Sequence, residues 1–335
     1  MTDVRGTRLG ACDRPLAEAY DAGLYDLDGV LYLGAQAIQH AAAAVGAART
    51  AGMRAAFVTN NASRRPAVVA AHLTELGIPA EPADVVTSAQ AAVRVLSERL
   101  PPRATVLVVG APGLSEEVAA GGFTPVREAS DDVAAVVQGY DRDTGWAELA
   151  EASVALRAGA LWVATNADST LPSPRGPLPG NGALVGALRI ATGLEPVVAG
   201  KPEPALHLES VARVSATRPL VIGDRLDTDI LGAVRGGADS LLVLTGVADA
   251  EAAVRAPAGM RPTYLAWDLR GLLAPQPTVV VAGERAECGP AAAAYGDGVI
   301  VVTGSGDPAL RAACALSWEV ADRGERVKRV VDLEQ

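Results

Sequence analysis

The sequence predicts an α/β fold built on a parallel sheet. Two observations carry this. Short runs rich in Val, Ile and Leu alternate along the chain with Ala-rich stretches of helical period. Glycines then close the helical stretches, with Gly52, Gly77 and Gly193 placed as C-caps. The strand candidates, in order, are "GLYDLD", "MRAAFVTN", "DVVTS", "TVLVVG", "DVAAVVQG", "ALWVATN", "PLVIGD" and "SLLVL". The helical stretches between them include "AAAAVGAARTAG", "RRPAVVAAHLTELG" and "NGALVGALRIATG". "PSPRGPLPGNG", Pro172 to Gly182, is a loop expected to line a site or an interface. "LLAPQPTVVV" reads as a boundary, and residues 275–335 beyond it as a small α/β appendage: two strands, a helix over "DPALRAACALSWEVADRG" and a last strand. That tail, with an incomplete sheet, is expected to lean on the main body or on another subunit.

Composition narrows the function. Of 335 residues half are apolar and only 4% aromatic, so the core must be mostly Ala, Val and Leu. The formal charge of −10, with no basic cluster, argues against nucleic acid and anionic membrane as partners. Cys12, Cys288 and Cys314 have no metal-ligand spacing and read as packing thiols of a cytoplasmic protein. The N-terminus lacks a signal-peptide pattern, and no apolar run is long enough to span a bilayer.

"GLYDLDGV" is unusual because an apolar run carries Asp26 and Asp28. Successive strand side chains alternate faces, so both point to the same side, where two like charges repel and lose hydration. Either a cation sits between them, or they share a proton, or the segment is not a strand. Three further stretches share its character. "FVTNNAS" ends a strand in small polar groups before a helix, a turn suited to anions. "AGKPEPALHL" holds Lys201, one of two lysines in a chain otherwise using arginine. "LVIGDRLDTDILGA" follows a strand with Asp224, Asp227 and Asp229. An acid pair, a hydroxyl and amide cradle, a lysine and a second acid cluster suit Mg²⁺, a hard cation that takes oxygen ligands. The cation would neutralise Asp26 and Asp224 and leave Asp28 as an acid/base.

These four stretches, in this order, resemble the four motifs of the haloacid dehalogenase superfamily of phosphatases. The spacing is similar to its NagD-like branch, which has a large C2-type cap between the second and third motifs; "WVATNADSTLP…PGNGALVGAL" resembles that cap. The resemblance covers about Gly23 to Leu273. It implies a Rossmann-like, doubly wound core over 1–83 and 198–274, an inserted α/β cap over 84–197, and the separate tail over 275–335. It implies that Asp26 attacks phosphorus to give an aspartyl-phosphate and that Asp28 protonates the leaving oxygen and then activates water. Mg²⁺ would be held by the Asp26 carboxylate, the Asp28 carbonyl and the Asp224 carboxylate. Thr59, Asn60, Asn61 and Lys201 would bind the phosphoryl group, and Asp229 would orient Lys201 or a metal-bound water. Asp227 reads as a solvated loop acid. Asn166 and Asp168 are the cap's candidate substrate contacts.

The expected function is therefore Mg²⁺-dependent hydrolysis of a small phosphomonoester. Scarce aromatics favour glycerol 3-phosphate over 2-phosphoglycolate, pyridoxal phosphate or nucleoside monophosphates, and a homo-oligomer through cap or tail is expected. The rival reading is a non-enzymatic, receiver-like or phosphometabolite-sensing protein, but Asp28 and the long insert speak against it. "VVGAPG" and "VVTGSGDPA" do not complete a dinucleotide-binding glycine pattern and read as strand-to-helix turns.

Overall fold

The structure, a computed structural model, describes residues 9–171, 175–176 and 178–333. Residues 172–174 and 177 of the expected site-lining loop lie outside the described residues. The chain divides into two compact units, Met1–Phe57 with Leu73–Pro79 and Val211–Gln335, and Val58–His72 with Ala80–Ser210. The expected insert over 84–197 lies wholly in the second unit, which also takes in residues 58–72, 80–83 and 198–210.

In the first unit, strands Tyr264–Ala266, Asp239–Val243, Pro219–Gly223, Ala22–Asp26 and Arg54–Thr59 lie in that order, the last running on into the second unit. The register of the parallel pair in the middle sets the chemistry. Tyr25 is paired with Ile222, so the chain leaves these neighbouring strands at Asp26 and Asp224, both at carboxyl ends. The strand ends at Asp26, two residues earlier than "GLYDLD" suggests. Gly29, at φ +88°, turns the chain there, and the Val30 and Leu31 N–H groups bond back to Leu27 O. Asp28 therefore lies past the strand and exposed, and the strand-face argument does not apply to it.

The tail forms a complete small sheet. Val280–Ala282, Arg285–Cys288, Ala291–Gly296 and Val299–Thr303 are antiparallel neighbours, and Arg329–Val331 pairs parallel with Val299–Thr303. Helix Gly306–Asp322 buries Leu310, Cys314, Leu316 and Trp318 in one cluster with Leu242 and Leu265 of the central sheet. Each such side chain contributes about 1.5–3 kcal/mol of burial. The tail is thus joined to the first unit through a shared core. Cys288 and Cys314 are buried free thiols pushed up in pKa by that burial, as packing thiols should be.

The second unit has its own parallel sheet in the order Val197–Val198, Leu161–Ala164, Val133–Gln138, Thr105–Val109 and Thr124–Val126. Trp162, Leu156, Val185 and Leu188 fill its core. "VVGAPG" is the turn from strand Thr105–Val109 into helix Pro112–Ala120, and Gly193 (φ +73°) caps helix Asn181–Thr192.

Candidate active site

The acids of the first unit converge. Asp26, Asp224 and Asp229 each place one carboxylate oxygen within 4.8 Å of the others. Asp224 is fully buried; its Oδ2 accepts the Val247 N–H at 2.7 Å, and its carbonyl accepts the Ala248 N–H at 3.0 Å. Two glycines make room for it. A Cβ on residue 29 would lie 2.3 Å from Asp224 Oδ2, and one on residue 246 only 2.0 Å away. Thr245 Oγ1 donates to Gly29 O at 2.6 Å and ties the two glycine segments together.

Asp229 reaches the trio through a π-turn over Leu226–Ile230, in which the Ile230 N–H bonds to Arg225 O. Its Oδ2 accepts the Arg225 N–H at 3.2 Å. The approach to the strand end is so close that a Cβ on residue 223 would lie 2.2 Å from the Asp229 Cβ. Asp229 thus stands among the groups able to ligate a cation, beyond the orienting role the motifs imply. Asp227 points away, exposed and paired with Arg225 at 2.8 and 3.0 Å; that guanidinium holds its carboxyl below the usual range. Three carboxylate oxygens around one point fit Mg²⁺, which takes hard anionic oxygen donors.

The polar groups of the second unit are organised differently. Thr59 is buried, and its Oγ1 accepts the Asn61 N–H at 3.1 Å. Asn61 Oδ1 accepts from Ser63 N and Oγ at 2.8 and 2.7 Å, shaping the turn before helix Pro66–Glu75. The Asn60 side chain meets the backbone of Lys201: the Lys201 N–H donates to Oδ1 at 2.8 Å, and Nδ2 donates to Lys201 O at 3.1 Å. Nδ2 also lies 3.3 and 3.4 Å from the Asp168 carboxylate oxygens. Asn166 Nδ2 donates to Asn60 O at 2.8 Å. Asn60, Asn166, Asp168 and Lys201 are thus one hydrogen-bonded group. Lys201 itself is buried, unlike the surface position a lone lysine usually takes.

Sequence reasoning missed Thr245, Gly246 and Val247. The available signal was a glycine just past a strand in "LLVLTGVAD", the pattern used at the other stations.

A sequence model of the haloacid dehalogenase-like hydrolases matches residues 23–124, and a second, HAD-hydrolase-like model matches 198–272. D-glycerol 3-phosphate phosphatase of Mycobacterium tuberculosis is 53% identical over 272 residues, covering 79% of this chain and 76% of that one. This chain belongs to the haloacid dehalogenase-like hydrolases. Among other members, the 5'-nucleotidase YutF of Bacillus subtilis is 37% identical, over 70% of this chain and 91% of its own. The acid sugar phosphatase of Staphylococcus saprophyticus is 36% identical, over 76% and 97%. The crystal structure of the M. tuberculosis glycerol phosphate phosphatase with magnesium superimposes with a TM-score of 0.86 at 47% identity, covering 95% of both chains. The 4-nitrophenylphosphatase of Thermotoga maritima gives 0.71 at 28% identity, over 77% of this chain and 98% of its own. A match over 95% of the chain takes in most of the tail, which the four motifs do not reach.

Proposed function

We propose that this hydrolase is a Mg²⁺-dependent phosphatase acting on a small polyol phosphate, glycerol 3-phosphate first. The observation that carries the chemistry is the convergence of Asp26 with Asp224 and Asp229 at the ends of adjacent parallel strands. Likeness to the M. tuberculosis D-glycerol 3-phosphate phosphatase supports the substrate.

Asp26, Asp224 and Asp229 would hold the ion with the Asp28 carbonyl, and the bound ion would supply positive charge against the phosphoryl oxygens. The Asp26 carboxylate attacks phosphorus; the ester P–O bond breaks, and Asp28 gives its proton to the departing glycerol oxygen. Asp28, now a carboxylate, takes a proton from water as that water attacks the aspartyl-phosphate. Inorganic phosphate leaves and Asp26 is restored. The Lys201 ammonium and the Thr59 hydroxyl bind phosphoryl oxygens, with Asn61 beside them, where fixed charges and dipoles act most strongly away from bulk water. The Asp168 carboxylate is assigned to the hydroxyls of the substrate. A reducing, cytoplasmic setting suits three free thiols, two of them buried; no helix among the described residues is long and apolar enough to cross a membrane. A homo-oligomer is the expected assembly, measurable by light scattering.

The test is phosphate release from glycerol 3-phosphate, 2-phosphoglycolate, pyridoxal phosphate and nucleoside monophosphates, compared as kcat/KM with and without EDTA. Glycerol 3-phosphate should lead, and EDTA should abolish turnover until Mg²⁺ is restored. A higher ratio for another ester replaces the substrate; turnover indifferent to EDTA removes the metal. A stable phosphoprotein without turnover would mark a sensor instead of an enzyme.

A further inference from the structure

The motif resemblance puts Asn60 on phosphoryl oxygens, but its hydrogen bonds go elsewhere. Its Oδ1 faces the Lys201 N–H and its Nδ2 faces Lys201 O, so one side-chain amide copies both bonds of a strand pairing onto a single residue. The amide orientation follows from chemistry: turned over, it would set N–H against N–H and oxygen against oxygen. The second Nδ2 hydrogen points to Asp168. The approach is tight, since a Cβ on residue 200 would lie 2.7 Å from Asn60 Oδ1 and 2.5 Å from Thr165 O.

Asn60 is held in turn. Its carbonyl accepts Ser88 Oγ at 2.6 Å and Asn166 Nδ2 at 2.8 Å. The Asn166 carbonyl accepts Asn181 Nδ2 at 2.7 Å, from the first residue of helix Asn181–Thr192. Asn166 and Asn181 are buried, where an amide is committed to the partners it has. Three side-chain amides therefore run from a helix start to the Lys201 backbone.

We propose that Asn60 is a positioning residue: it sets the backbone at Lys201, and so the placement of the ammonium, with Asn166 and Asn181 bracing it from behind. This rests on the reading that Lys201 binds the phosphoryl group. A catalytic charge misplaced by an ångström loses much of its effect, so the clamp acts on turnover without touching substrate.

A double-mutant cycle tests it, with Asn60→Ala, Lys201→Ala and the double variant assayed on p-nitrophenyl phosphate and by inhibition with inorganic phosphate. Asn60→Ala should lower kcat and raise the phosphate Ki, each by about tenfold or more. In the Lys201→Ala background the same change should add less than about threefold, because the group it positions is gone. Equal losses in both backgrounds, or no loss in the single variant, would overturn the proposal. A Lys201→Ala enzyme with wild-type kcat and phosphate Ki would instead overturn the role of Lys201. Asn166→Ala removes the donor to Asn60 O and the acceptor of the Asp168 N–H while leaving the Asn60 side chain in place, and it covers the case in which Asn60→Ala does not fold. Its smaller rise in phosphate Ki should also vanish in the Lys201→Ala background, and a rise that persists there counts against the clamp.

Discussion

The acidic trio of the first unit and the lysine–amide group of the second solve opposite problems. Asp26, Asp224 and Asp229 repel one another, and backbone brings them together: strand ends in register, a π-turn, the Val247 N–H, and glycines at 29, 223 and 246 that leave no side chain in the way. Lys201 faces no like charge in its own group, and side chains hold it, through the amides of Asn60, Asn166 and Asn181. A backbone cradle has no slack, so adding one carbon should be worse than an ordinary side-chain truncation. A side-chain relay can lose a member and relax.

Four experiments put that contrast to the test. Asp26→Asn should have the largest effect, lowering phosphate release at least about 10⁴-fold with the fold intact by circular dichroism; substantial turnover would remove the nucleophile from the trio. Gly246→Ala comes next. Its Cβ would collide with Asp224 Oδ2, so the Mg²⁺ concentration for half-maximal binding, followed by calorimetry, should rise by about 10–100-fold. An unchanged affinity would show that the cradle yields and the contrast is false.

Asp322→Asn probes an ion pair that belongs to neither group. Arg261 is buried, bonds both Asp322 oxygens at 2.7 Å, stacks over Trp318 and holds the Asp322 carboxyl below its usual range. A depressed folded-state pKa gives stability that is present above the unfolded value, near pH 4, and is lost as pH falls through the folded one. The substitution should cost about 1–2 kcal/mol at pH 7, because Asp322 stays half exposed, and should flatten the acid limb of the Tm profile without changing kcat. A change in kcat would mean that the two groups are not the only ones tuned for turnover. Asp227→Asn should have the smallest effect, under about twofold in kcat/KM, since Asp227 is exposed and pairs with the half-buried Arg225; a larger loss would extend the trio to a fourth acid.

The order of the four motifs made the family legible, and short continuous apolar runs made most of the strands of both parallel sheets legible. The strands Arg285–Cys288 and Ala291–Gly296 escaped because "RAEC" and "AAAAYG" carry almost none of the β-branched residues that mark a strand. Tyr264–Ala266 is too short to show a period. Within the site, residue types were readable but partners were not. Whether Asp229 faces a cation depends on one extra residue in a helical turn, and whether Asn60 faces phosphate or Lys201 depends on a contact between positions 141 residues apart. Neither leaves a periodic trace in the sequence.

Arg311 gives the tail a further meaning. Its guanidinium is fully buried in helix Gly306–Asp322 and grips Gly10 O, Gln276 Oε1 and Pro277 O, so the first described residues, the boundary segment and the appendage share one fastening. Cys12 and Gln276 add a two-stranded bridge beside it. Trimming the protein at residue 274 would therefore strip a lid from Leu242 and Leu265 and open the latch at the opposite terminus at the same time. The appendage is a keystone of the hydrolase body, and a shortened enzyme would have to be redesigned at both ends.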